Sequence, residues 1–220
     1  RADLGRILLE GKLTPAEPER ALNLLEQAAD SGHSGAALAL GEAYLEGKYV
    51  TQDPDMALQY LGNAAERGNP HAALRLGIAY LNGTGVEKNA ESARELLGQA
   101  AESGDPWAKS VLGRALLYPS SGMQQNSELG RRLMREGAES GHPGAQAALG
   151  REYIEGKAFE LNANRGAELL FQAASQGHAS ARLTLAKAYL WANGLENASQ
   201  DQALLWLDEV IDGDSRIALQ

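Results

Sequence analysis

The sequence predicts an all-α fold, a right-handed α-solenoid superhelix of antiparallel helix pairs built from 36-residue repeats. Three observations carry that prediction. Leu4-Gly5 returns as Leu40-Gly41, Leu76-Gly77, Leu112-Gly113 and Leu149-Gly150, then fades to Leu185-Ala186. Ala28-Ala29 with Gly32 keeps the same beat through Ala64-Ala65 with Gly68, Ala100-Ala101 with Gly104, Gly137-Ala138 with Gly141, Ala173-Ala174 with Gly177 and Val210-Ile211 with Gly213. Between these marks the apolar residues recur at helical spacing. A fixed period in this range is the mark of stacked repeats, each touching its neighbours.

Residues 36–68 show how each element arises. Ala36, Leu40, Gly41 and Tyr44 share one stripe, so the stretch from Ala36 to Glu46 reads as an amphipathic first helix. Gly47 follows where a left-handed C-terminal glycine is expected. The loop then reaches Asp53-Pro54, where Asp53 or Asp55 can cap the second helix. That helix carries Ala57, Leu58, Leu61, Ala64 and Ala65 on one stripe and stops at Gly68. Asn69-Pro70 opens the next repeat, since proline suits a first helical turn and no interior position. A glycine inside a helix costs roughly 1 kcal/mol against alanine. The glycine after the leucine is nonetheless kept in five repeats, which predicts close helix approach.

The repeat divides the chain into units 1–33, 34–69, 70–105, 106–142, 143–178 and 179–214, with a seventh beginning at 215–220. All belong to one domain. Both ends fall inside a repeat, where solenoids normally carry polar caps, so a fragment of a longer protein is expected.

Composition narrows the function. A formal charge of −9 and a pI near 5.0 argue against a nucleic-acid grip over the whole surface. No apolar run approaches the roughly 20 residues of a membrane span. Cysteine is absent, which removes thiol catalysis, thiolate metal sites and disulfides together.

The residues Leu-Gly-x-x-Tyr-x-x-Gly, followed by an alanine-led helix ending Ala-Ala-x-x-Gly, resemble the Sel-one-like repeat, a cousin of the tetratricopeptide repeat. The third repeat matches most closely, from Leu76-Gly77 through Tyr80, Gly83, Ala93, Leu97 and Ala100-Ala101 to Gly104. The resemblance implies a non-enzymatic scaffold that assembles proteins, with the first helices lining a concave groove. The opening Leu4 to Lys12 is similar to scaffold lipoproteins of alginate secretion. That likeness implies a bacterial envelope setting, at the periplasm or outer-membrane periphery, in exopolysaccharide secretion. Cysteine-rich secreted relatives have been linked to β-lactam binding, but this chain has none of their cysteines. A regulator or immunity-type inhibitor that masks one enzyme would use the same groove.

No constellation of catalytic groups emerges, and no cofactor or metal is expected. Gly5 to Lys12, Gly41 to Lys48 and Gly150 to Lys157 imitate a phosphate loop. They have one residue too many between the glycines, carry Leu13, Tyr49 or Ala158 where a Ser or Thr should follow the lysine, and lie in helical context. His33, His142 and His178 follow the helix-ending glycine one repeat or more apart, too far for a shared metal, so a turn role is expected. Glu10, Glu46 and Glu155 recur at one repeat position as a solvated acidic row. Asn82-Gly83-Thr84 and Asn197-Ala198-Ser199 fit the glycosylation acceptor, which matters only in a eukaryotic secretory setting.

The residues that break the repeat are the candidate site. After the Leu-Gly mark stand Arg6, Glu42, Ile78, Arg114, Arg151 and Lys187, and Arg75, Lys109 and Arg182 lie off the core stripe. Later repeats therefore gain a basic run. Tyr118 and Trp191 replace the recurrent acidic or amide residue, and Trp107 replaces a small residue or histidine. Arginine beside exposed tyrosine or tryptophan is the composition of interface hot spots. The candidate partner-binding residues are thus Trp107, Arg114, Tyr118, Arg151, Arg182, Lys187 and Trp191, facing an acidic or extended protein segment. The loop from Tyr118 to Asn126 replaces the usual glycine with Pro119 and adds the extra residue, as either a partner contact or a silent insertion. Trp206 falls on a second-helix stripe and is expected in the core.

Overall fold

The computed structural model describes residues 2, 4, 5, 18–47 and 49–190. Among them stand ten α-helices and no strand. They are α1 Pro18–Asp30, α2 Ser34–Glu46, α3 Pro54–Glu66, α4 Pro70–Asn82, α5 Ala90–Glu102, α6 Pro106–Leu117, α7 Ser127–Glu139, α8 Pro143–Glu155, α9 Ala163–Ser175 and α10 Ala179–Leu190. A short 3-10 turn, Pro119–Ser121, interrupts the fourth repeat. Two compact units result: Arg1–Asp105 with Ser121–Met123, and Pro106–Ser120 with Gln124–Gln220. The seventh repeat's start, Trp191, Trp206 and the acceptor at Asn197 lie outside the described residues, as do Arg6, Glu10, Lys12 and Lys48.

Most of these helices begin at a side chain that accepts a free backbone N–H, and several close on a cap residue whose own backbone N–H reaches back to a carbonyl of the last turn. Asp53 accepts the Met56 N–H at 3.1 Å, so Asp53 rather than Asp55 is the cap of α3. Asn69, Asn89, Asn126 and Asn162 do the same for α4, α5, α7 and α9. Prolines open α3, α4 and α8, where the missing N–H is no loss. First helices α2, α4 and α8 close on Gly47, Gly83 and Gly156 with φ of 67°, 74° and 63°, a region that favours glycine. Pro119 removes that glycine from α6, which stops at Leu117.

The core is a ladder of leucines and alanines. Leu25, Leu40, Leu61, Leu97, Leu116, Met134, Leu170 and Leu185 are fully buried, one near the middle of most helices. In the first unit α2 packs on α3 and α4 on α5, and in the second α6 packs on α7 and α8 on α9. The close approach expected from the repeating glycines is real. A Cβ on Gly113 would lie 2.7 Å from the Gly130 carbonyl oxygen, and one on Gly150 2.8 Å from the Gly166 carbonyl oxygen. In the first unit a Cβ on Gly41 would strike the Leu61 side chain at 2.6 Å. Tyr44 and Tyr60 stack there at 5.9 Å, joining α2 to α3 beyond the alanine stripe.

Candidate functional site

Helices α6, α8 and α10 are the first helices of the second unit, and α8 touches both of the others. Each offers one cation directly after its Leu-Gly or Leu-Ala mark: Arg114, Arg151 and Lys187. Because Leu112, Leu149 and Leu185 are buried two residues before, the same helical turn fixes all three cations on one side of the row. Arg114 and Lys187 are exposed and Arg151 half-buried. Among the described residues no carboxylate pairs with any of them. The first unit fills the same column differently. There Glu42 receives a 2.7 Å ion pair from Arg75 Nε of the next first helix, and Ile78 is apolar.

Arg182 does not join the row. It stands five residues before Lys187, about 140° around the helix at 100° per residue. Its Nε donates to the Ala174 carbonyl at 3.3 Å, near the end of α9. Its column is the one that reaches the second helices: Lys109 pairs with Glu136 of α7 at 3.1 Å, and the Gln146 amide donates to Gln172 Oε1 of α9 at 2.9 Å.

The aromatic candidates are held by neighbours. The Trp107 ring stacks 6.0 Å from His142 and covers Gly144, whose side-chain position the indole nearly fills. Tyr118 packs, half-buried, against the Leu117, Met134 and Phe159 cluster, and its hydroxyl donates to Glu152 Oε2 at 2.5 Å. Burial first, then that hydrogen bond and the Glu152 and Glu155 charges, hold the phenol far above its ordinary pKa, against a lowering pull from Arg114. Trp191 lies outside the described residues.

Glu152 is the functional-looking group that sequence reasoning passed over. It is 5% exposed. It occupies the column of Ala43, Ala79, Ala115 and Ala188, so a carboxylate among alanines was the available signal. Its partner Tyr118 sits where other repeats carry an acidic or amide residue, so two breaks in adjacent repeats answer each other.

The histidines take the expected turn role with a specific chemistry. Nδ1 of His33, His142 and His178 accepts the backbone N–H of Ala36, Ala145 and Ala181 at 3.1, 3.3 and 3.3 Å. The ring caps the helix only with Nδ1 unprotonated. Burial chiefly, with His142 and Arg151, lowers the His178 pKa. Lys157, the end of one phosphate-loop imitation, pairs with Glu155 at 2.9 Å beside the C-terminus of α8. Among the described residues no cluster of His, Asp or Glu could hold a metal ion, and no helix is long and apolar enough to cross a membrane. Residues 121–123 of the irregular loop belong to the first unit, and Met123 is buried there.

Comparison with known proteins agrees with this architecture. The Sel1 repeat matches residues 1–33, 34–69, 70–105, 108–142 and 143–178. A Sel1 repeat protein of Oxalobacter formigenes is similar at 25% identity and a TM-score of 0.83, over 95% of this chain and 83% of that one. A protective antigen of uropathogenic Escherichia coli with an SLR fold is 28% identical with a TM-score of 0.69, over 96% of this chain and 45% of its own. An immunity protein of Pseudomonas aeruginosa shares the fold at 20% identity and a TM-score of 0.64, over 97% of this chain and 82% of that one. No curated protein matches the chain.

Proposed function

Because this chain belongs to the Sel1 repeat family, we propose that it is a non-enzymatic scaffold that grips an acidic or extended protein segment along Arg114, Arg151 and Lys187. One observation carries the reading: three cations at equivalent positions of adjacent helices, unpaired among the described residues of an acidic protein. In the first unit the same column holds Glu42 instead, paired with Arg75 of the next first helix. A row left unpaired is a steering and recognition surface for the opposite charge. Trp107 and Tyr118 offer only part of their rings, so charge dominates recognition. Trp191 is proposed from its place in the sequence as a further apolar contact, while Arg182, whose Nε donates to the Ala174 carbonyl, lies off the row.

The proposed setting is a bacterial envelope assembly such as exopolysaccharide secretion, at the periplasm or outer-membrane periphery. It rests on the likeness of Leu4 to Lys12 to alginate-secretion scaffolds. The alternative, an inhibitor that masks one enzyme, draws on the immunity protein that shares this fold, and it would use the same row.

Immobilised protein, wild type and Arg114→Glu/Arg151→Glu/Lys187→Glu, tests the proposal on envelope extract. The wild type is expected to retain a partner that salt elutes, and the variant to lose it. A secretion component among the retained proteins supports the scaffold, whereas a single toxin-like enzyme whose activity falls on binding supports the inhibitor. Equal retention by both proteins removes the row from the account.

A further inference from the structure

The second unit holds another opening, on the side of a second helix. Arg131 and Arg135 stand one turn apart on α7, hence on one face. They border a cleft of about 500 Å³ together with Tyr153 of α8 and Phe159, Glu160 and Leu161 of the α8–α9 loop. That volume is in the range of sites that enclose a small ligand or a few residues of a peptide.

The arginines are positioned but not neutralised. One arm of Arg131, Nη1, donates to the Ala158 carbonyl at 3.2 Å, which ties α7 to the loop. The Arg135 guanidinium lies 5.4 Å over the centroid of Phe159, a ring that is itself 5% exposed and tilted against Tyr153 at 5.2 Å. A guanidinium has five N–H donors, so both forks keep donors for a ligand. Among the described residues neither pairs with a carboxylate. The sequence marks the place as particular to this repeat. The Arg135 column holds Glu26, Gly62, Gly98 and Phe171 elsewhere, and the Arg131 column holds Leu22, Leu58, Arg94 and Ala167.

We propose that this cleft is a second recognition site, which takes the carboxylate of an acidic peptide segment between Arg131 and Arg135 and an adjoining apolar side chain against Leu161. Two planar forks match the two oxygens of a carboxylate. Leu161 is 62% exposed at the mouth, an apolar surface with nothing yet upon it among the described residues. Glu160 on the same rim repels a doubly charged anion more than a singly charged one, which favours carboxylate over phosphate. The site is independent of the Arg114 row, which belongs to first helices.

Fluorescence anisotropy on the full chain tests it. The probe is an amide-capped, labelled heptapeptide with a leucine–glutamate–leucine centre, and its control carries glutamine for glutamate. The glutamate peptide is expected to bind at least about tenfold more tightly than the glutamine peptide, and Arg135→Gln or Arg131→Gln to weaken it by a similar factor. Arg132→Gln removes the same charge one residue away and is expected to change affinity less than about twofold. Arg135→Lys keeps charge and ring contact but loses the fork, and should fall between the two. Since Arg135→Gln also loosens Phe159, melting curves accompany every variant, and the glutamine peptide tests the site on unaltered protein. Equal loss in Arg132→Gln and Arg135→Gln, equal binding of both peptides, no binding of either, or displacement by inorganic phosphate at lower concentration than by acetate each overturns the proposal.

Discussion

Residues 18–105 and residues 106–190 are built from the same helix pair, yet they differ in charge and in how closely their backbones meet. The earlier stretch carries six Lys/Arg against thirteen Asp/Glu, a formal −7, and the later one ten against seven, a formal +3. In the first unit the cation Arg75 is spent on Glu42. In the second the corresponding row stands open, and a second pair of arginines frames a cleft. The backbones differ in the same division. Gly41 meets the Leu61 side chain, whereas Gly113 meets the backbone of Gly130, and Gly150 that of Gly166. A repeat fixes where helices go, while surface columns and the small residues between helices are free to diverge.

The largest expected effect breaks the packing half of this contrast. Gly113→Ala should cost about 1–3 kcal/mol, because a carbonyl oxygen at 2.7 Å cannot turn aside. Gly41→Ala should cost less, since a leucine side chain can rearrange. Denaturant unfolding of the two variants decides it, and equal losses would remove the distinction.

The Tyr118 pair comes next. Tyr118→Phe leaves the buried Glu152 carboxylate without that donor and should cost about 1–3 kcal/mol. Tyr118→Phe/Glu152→Ala restores the alanine found at Ala43 and Ala79 of the first unit, and should recover most of the loss. Additive losses in the double variant would show that the pair is not coupled.

A smaller, opposite effect is expected at Gly98 of α5, where a Cβ would meet nothing within 4 Å. Gly98→Ala should stabilise by about 1 kcal/mol, a gain that Gly113 cannot show. Thermal melting reads both.

The smallest effect is on pH. Burial lowers the folded-state pKa of His178, so the unfolded chain binds its proton more readily. Its cap therefore contributes fully above the unfolded value of about 6.5 and is lost as pH falls through the lowered folded value. His178→Asn keeps an N-cap that does not titrate and should flatten the fall in melting temperature as pH drops below the ordinary imidazole value of about 6.5. An unchanged slope would mean that His178 does not carry this dependence.

Much of this was legible in the sequence because it is local. Helix positions, Gly47, a cap at Asp53 or Asp55, the proline starts and the histidine turns follow from residues within one repeat, and the structure chose Asp53. The Arg114, Arg151 and Lys187 column was also legible, since a repeat places equivalent residues on equivalent helices. What escaped depends on how one helix docks on another. Tyr118 and Glu152 are 34 residues apart, and only packing shows that they meet. Arg182 looked like a member of the basic row, but its angle around α10 turns it towards Ala174. The Arg131 and Arg135 cleft needed the fold of the α8–α9 loop, whose Phe159 supports one guanidinium.

The most direct test of the central claim compares equal charge changes in the two units. Arg114→Glu/Arg151→Glu/Lys187→Glu in the second is set against Arg67→Glu/Lys88→Glu/Arg94→Glu in the first, with affinity for the captured partner measured across salt concentrations. Loss of binding and of its salt dependence in the second-unit variant alone is the predicted result. Equal weakening by both sets would contradict a specific row and leave only the overall charge of the chain.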